Sequence, residues 1–208
     1  MKIVTIVILI ILVIVFFTEM NHHKFGNDVL DLPARSLYHA DTTHLIANGI
    51  SFFALSFIEE IIGSGMFLFA IIFIWLLSTI ILWAIFKVFP SRNVYTVGFS
   101  GVIFGLMVLY FKLLGQSSAI SIGGLMVSIL PQIFIPGISF EGHLSGIIAG
   151  FVFIALFPMD KYSKKQLTSN EIDMSNIDTN NTVNDTTTNI HNMFNDLMKK
   201  INSSNNVQ

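Results

Sequence analysis

Residues Val94 to Leu114 read VYTVGFSGVIFGLMVLYFKLL. Within them Ser100, between Gly98 and Gly101, marks the point where a polar loop becomes an apolar helical run. As helix, Ser100 to Leu114 extends roughly 22 Å at about 1.5 Å per residue. A bilayer's hydrocarbon core is about 30 Å thick. A helix that reaches the far interface therefore begins roughly 8 Å below the near one. The reading is of a hydroxyl held below the membrane surface, at a helix N-terminus, among small neighbours.

The rest of the composition agrees with a membrane setting. The 208 residues are 53% hydrophobic and 12% charged, against about 25% charged in a typical soluble domain. The apolar residues fall in long runs, which predicts a polytopic membrane protein rather than a soluble one with a large core. Cysteine is absent, so disulfides, thiol catalysis and cysteine-based metal sites are excluded. A net charge of −2 and the lack of a basic, aromatic-laced patch give no case for nucleic acid.

Six apolar runs are expected to form an all-α, six-transmembrane helical bundle. The first covers residues 1 to 18 and ends without a small-residue cleavage site, so it reads as a retained helix, with a cleaved signal as the alternative. A polar loop with Pro33 follows. The second run extends from about Thr43 to Ile62, and a turn is expected at Gly63 to Gly65. The third is Met66 to Val88, and the fourth begins at Ser100. The fifth is Ala119 to Ile135, with a kink or break expected near Pro131. The sixth is Glu141 to Phe157, closed by Pro158. Residues 1–158 thus form one membrane domain. From Met159 the composition turns to Asn, Thr, Ser and Asp, and 159–208 reads as a mostly disordered tail. Within it, apolar residues at helical spacing allow a short amphipathic helix at 190–201. The Lys161, Lys164 and Lys165 cluster beside the last span favours cytosolic termini.

Serial spans alternate direction, so the second, fourth and sixth run the same way. Their N-terminal ends carry His44 with Asn48, Ser100, and His143 respectively. Gly101 and Gly105 on the fourth span, and Gly146 and Gly150 on the sixth, are spaced for close helix contact. If those faces meet, His143 is carried toward Ser100. A serine needs a base within about 3 Å to act as a nucleophile, and histidine has a suitable pKa. No Asp stands near either residue, so a dyad is expected. His44 and Asn48, four apart on one helix face, together with the Ser100 N–H could surround an oxyanion. Taken singly, each feature has an ordinary reading: a GxSG string is common in membrane helices, and GxxxG pairs serve plain packing. His39 reads as a loop residue. The conjunction on one side of one bundle is what points to catalysis.

These residues resemble the rhomboid family of intramembrane serine proteases. The matching pieces are HADTTHLIAN (39 to 48), IEEIIGSG (58 to 65), GFSG (98 to 101) and GHLSGIIAG (142 to 150). The resemblance implies Ser100 as nucleophile, His143 as general base and then acid, and His44 and Asn48 as oxyanion contributors. It implies a structural role for Glu59. It also implies single-span transmembrane proteins as substrates, with neither metal nor cofactor. Many members carry a Trp-Arg pair in the first loop, which this chain lacks. Phe104 stands where many have Tyr, one turn after Ser100, with its ring able to pack on His143. The alternative function is that of an inactive relative that binds transmembrane helices and affects their trafficking or degradation. A small transporter or channel would need ionisable residues at mid-membrane depth, and the third to fifth spans have almost none.

Overall fold

The structure, a computed structural model, describes residues 2–19, 31–89, 97–134 and 139–162. The chain divides into two compact units, Met1–Lys164 and Lys165–Gln208, and everything described belongs to the first. The expected tail helix at 190–201 lies outside the described residues, as do residues 20–30 of the first loop and residues 90–96.

The described residues are helical, with no strand among them. The helices are α1 Ile3–Glu19, α2 Asp31–Arg35, α3 Thr42–Ala54, α4 Phe57–Ile62, α5 Ser64–Val88, α6 Ser100–Leu113, α7 Ser118–Ile129 and α8 Phe140–Leu156. All six apolar runs are therefore helical. By length and composition, Thr42–Ile62 and Ser64–Val88 could each cross a membrane unaided; the other apolar helices are shorter. Large side chains such as Ile10, Ile14, Phe17, Ile50, Ile80 and Val127 face outward, which suits contact with lipid tails.

Three local features differ from the sequence reading. The second run is divided between α3 and α4, because around Leu55 the backbone changes to i→i−3 bonds: Ser56 N–H to Phe53 O at 3.0 Å and Ile58 N–H to Leu55 O at 3.0 Å. This is a tightened turn that lets the run continue. The expected turn at Gly63 to Gly65 is made by Gly63 alone. Its φ of 84° needs a residue without Cβ, and α5 already begins at Ser64. The first loop contains α2, which its mixed composition had hidden. Trp75 holds α2 in place, its indole N–H donating to Pro33 O at 3.0 Å and to Ser36 Oγ. The expectation at Pro131 agrees with the structure: without an N–H to offer, proline ends the α-helix, and Leu130–Phe134 form a 3₁₀ turn.

Helices α5, α6 and α8 form the packed centre. Where α6 crosses α8 there are glycines on both sides and almost nothing between the backbones. A methyl on Gly146 would overlap the Gly101 carbonyl, with its carbon 2.6 Å away. One on Gly150 would sit 2.5 Å from Gly105 O, and one on Gly101 would sit 3.0 Å from Gly142 O. In lipid there is no water to drive helices together, so such close van der Waals contact is a principal source of association. Around this seam, Phe52, Phe67, Ile74, Leu106, Leu109 and Phe153 are fully buried.

Glu59 is also buried. The Glu59 carboxylate accepts from the Val4 N–H at 2.9 Å, the Thr5 N–H at 2.9 Å, the Thr5 hydroxyl at 2.8 Å and the Ser64 hydroxyl at 2.7 Å. It thereby caps the free N–H groups at the start of α1 and ties α1, α4 and α5 together.

A Gly146→Ala change should lower the thermal midpoint, at a cost of about 1–3 kcal/mol from overpacking against backbone that cannot yield. Gly123→Ala meets nothing within 4 Å and should leave the midpoint unchanged or slightly raised. Thermal unfolding in detergent separates the two, and equal midpoints would contradict the backbone contact.

Candidate active site

Ser100 is presented by the residues just before it. Phe99 is buried, with its ring edge-on to Phe52 at 5.3 Å. Gly98 takes a φ of 108° and its N–H donates to Arg35 O at 3.1 Å, which joins α2 to the turn. Among the described residues no side chain caps the start of α6. The N–H groups of its first turn are therefore open to an acceptor, and the helix dipole favours a negative one.

His143 lies in the first turn of α8. Ser139 caps that helix, its hydroxyl accepting from the Gly142 N–H at 2.9 Å and its carbonyl from the His143 N–H at 3.1 Å. The glycine seam brings the two helix starts together: the Ser100 hydroxyl is 2.8 Å from His143 Nε2. Phe104 stacks on the imidazole, with centroids 4.4 Å apart and planes 29° apart. The other ring nitrogen, Nδ1, is 2.5 Å from Gln132 Oε1 in the 3₁₀ turn after α7. Sequence reading missed Gln132. The available signal was a lone polar side chain directly after the helix-breaking Pro131.

His44 and Asn48 approach the same place from α3. Asp41 caps that helix, accepting from the His44 N–H at 2.8 Å. Asn48 is buried, and its amide donates to His44 O at 3.0 Å, which leaves the second amide hydrogen unused by that bond. A methyl on Gly98 would lie 2.7 Å from His44 Nε2 and 3.5 Å from Asn48 Nδ2. Both donors thus border the backbone two residues before Ser100. Of the glycines expected beside the site, Gly101, Gly105, Gly146 and Gly150 all lie in the seam described above.

His39 lies in the loop between α2 and α3, as expected, but it is buried. It is 8% exposed, and its ring stands edge-on to His44 at 5.1 Å. Neither of its ring nitrogens has a hydrogen-bond partner among the described residues. Burial, and then the neighbouring His44, hold its pKa down to about 4 from the usual 6.5.

A cavity of about 40 Å³ adjoins Ser100, with Ser36, Ser78, Thr79, Ser139 and Ser145 among its lining residues. That exceeds the roughly 10–15 Å³ a water needs. The hydroxyls of Ser78 and Thr79 donate to Trp75 O at 3.0 and 2.8 Å, and Ser145 donates to Gly142 O at 2.8 Å. Their oxygens are left as acceptors. A water entering here would donate to them and keep its own lone pairs available. Among the described residues no three His, Asp or Glu gather in a way that could hold a metal ion.

Residues 26–159 match the family model of the rhomboid domain. The chain belongs to the rhomboid family. A protein of Acanthamoeba polyphaga mimivirus, provisionally named a rhomboid protein, is 51% identical over 163 residues, which cover 78% of this chain and 95% of that one. An uncharacterised protein of Mycobacterium tuberculosis is 33% identical over 129 residues, 56% of this chain and 54% of its own. A mitochondrial rhomboid-like protein of Arabidopsis thaliana is 40% identical over 73 residues, 31% of this chain and 21% of its own. This rhomboid thus spans nearly all of the viral relative and about half of the mycobacterial one. Membership makes it a membrane protein, in keeping with its apolar helices.

The depressed pKa of His39 has a consequence for this rhomboid's stability. Below about pH 6.5 the unfolded chain takes up a proton at His39 that the folded chain refuses until about pH 4. Stability is therefore lost as pH falls through that window. His39→Phe keeps a ring against His44 and removes the proton. Its thermal midpoint should fall less than the wild type's between pH 7 and pH 4.5, and parallel curves would contradict the assignment.

Proposed function

We propose that this rhomboid is an intramembrane serine endopeptidase that cleaves transmembrane or juxtamembrane segments of membrane proteins. The observation that carries the reading is the 2.8 Å contact between the Ser100 hydroxyl and His143 Nε2, at the adjoining starts of two packed helices. A serine is a weak nucleophile until a base takes its proton, and this is hydrogen-bond reach.

In this reading the bundle crosses the bilayer six times. The spans are α1, α3 with α4, α5, α6, α7 with its 3₁₀ turn, and α8. The tail and both termini lie in the cytosol. Helix α6, from Ser100 to Leu113, is about 21 Å long at 1.5 Å per residue, which keeps Ser100 below the near, non-cytosolic surface when the other end reaches the far one. Substrates are single-span proteins, presented to the site from the lipid side.

His143 takes the Ser100 proton as the hydroxyl attacks the scissile carbonyl. The oxyanion that develops is met by the Ser100 N–H at the uncapped start of α6, the His44 ring and the free hydrogen of the Asn48 amide. His143 then gives its proton to the leaving amine, and the C-terminal product departs. Water from the cavity beside Ser100 attacks the acyl ester, again with His143 as base, and releases the other product. Phe104 holds the imidazole plane during both transfers. No step calls for a metal or cofactor.

The test is cleavage of a single-span helical substrate in reconstituted liposomes. The wild type should cut it, Ser100→Ala and His143→Ala should each lose at least about 10³-fold, and Asn48→Ala should lose about 10²-fold. Cleavage that survives in Ser100→Ala would overturn the reading. Stable binding of the helix without cleavage by the wild type would favour an inactive, helix-binding relative instead.

A further inference from the structure

The pair Ser100 and His143 leaves one atom of the site unexplained: the second imidazole nitrogen. In this enclosed site His143 Nδ1 is met by an amide oxygen, Gln132 Oε1, at 2.5 Å. An amide can present either end, so the first question is which end faces the ring. The other end of Gln132 decides it. That atom lies 3.1 Å from Ser128 O, a backbone carbonyl with no hydrogen to give. The NH₂ must therefore point at Ser128, and the oxygen at His143.

The consequence passes through the ring. An acceptor at Nδ1 demands a hydrogen there, and a neutral imidazole has only one. Nε2 is then bare, and its lone pair faces the Ser100 hydroxyl at 2.8 Å. The opposite tautomer would direct an N–H at the serine and could accept nothing from it. Ser128, Gln132, His143 and Ser100 thus form a chain in which each donor has one acceptor. Phe104 fixes the plane of the ring, and Gln132 fixes its rotation and its proton.

We propose that Gln132 is the positioning residue of the catalytic base: it selects the Nδ1–H tautomer of His143 and steadies the imidazolium formed when Ser100 is deprotonated. This rests on the protease reading above. It also ties the base to α7. Gln132 directly follows Pro131, where α7 gives way to the 3₁₀ turn. The base is aligned only while that turn is docked against α8, so a displacement of the end of α7 leaves the site unready for chemistry.

Two substitutions test this, read as kcat, KM and the pH dependence of substrate cleavage. Gln132→Met keeps the length and removes the acceptor. It should lower kcat at least tenfold, with KM within twofold of the wild type and an unchanged thermal midpoint. Gln132→Glu restores an acceptor and adds a charge that favours imidazolium. It should recover most of kcat and move the acidic limb of the rate profile upward by about one pH unit. Among the described residues, His44 is the titratable group that acts electrostatically on His143. Its contribution is common to all three proteins and cancels in the comparison. A residue with only a packing role would give no upward shift in Gln132→Glu. Wild-type kcat in Gln132→Met, or a Gln132→Glu profile superimposed on the wild type's, would overturn the proposal while leaving the protease reading intact. A wild type that cleaves nothing would overturn the reading itself.

Discussion

Everything about the site depends on how closely α6 and α8 approach. Gly101 and Gly105 face Gly146 and Gly150 so closely that backbone rests on backbone, with Ile74 and Val108 packed beside the contact. Each helix carries one partner of the Ser100–His143 hydrogen bond in its first turn. The seam that sets the spacing of the helices therefore also sets the distance from Ser100 to His143. A seam widened by a single methyl would carry a 2.8 Å hydrogen bond out of range, since such bonds weaken steeply beyond about 3.2 Å. Stability and, in the proposed reading, reactivity thus rest on the same glycines.

The apolar bundle tolerates polar groups in two distinct ways. Glu59 is fully satisfied, with four donors around one carboxylate. It closes the start of α1 and has nothing left to offer a substrate. The groups near Ser100 are satisfied only in part. The first turn of α6 has no side-chain cap, Asn48 retains an amide hydrogen, and the cavity hydroxyls expose acceptors. Unfilled hydrogen-bonding capacity in a low-dielectric setting is costly. Its concentration at one end of the bundle is what a site for a developing charge and a water requires.

Much of this was legible in the sequence, for physical reasons. Long apolar runs fix helices, Pro131 fixes where one ends, and glycines four apart announce a close crossing. Alternating direction puts His44, Asn48, Ser100 and His143 at one level without any coordinates. Other features were hidden. Helix α2 is five residues long in a mixed loop, and Trp75 on a distant helix holds it through the Pro33 carbonyl and the Ser36 hydroxyl. His39 is buried with its ring against His44, which its own loop sequence does not reveal. Gln132 could not be assigned because amides carry no motif. The role proposed for it rests on a bend at Pro131 and on the carbonyl of Ser128, which only three-dimensional placement brings together.

The central claim is that Ser100 is an activated nucleophile, and the most direct measurement is the mass of the folded protein after exposure to a fluorophosphonate. The account predicts a single adduct, mapped to the peptide that contains Ser100 and missing when His143 is replaced by Ala. A folded protein that stays unmodified at Ser100, or one that reacts there equally well without His143, would contradict it.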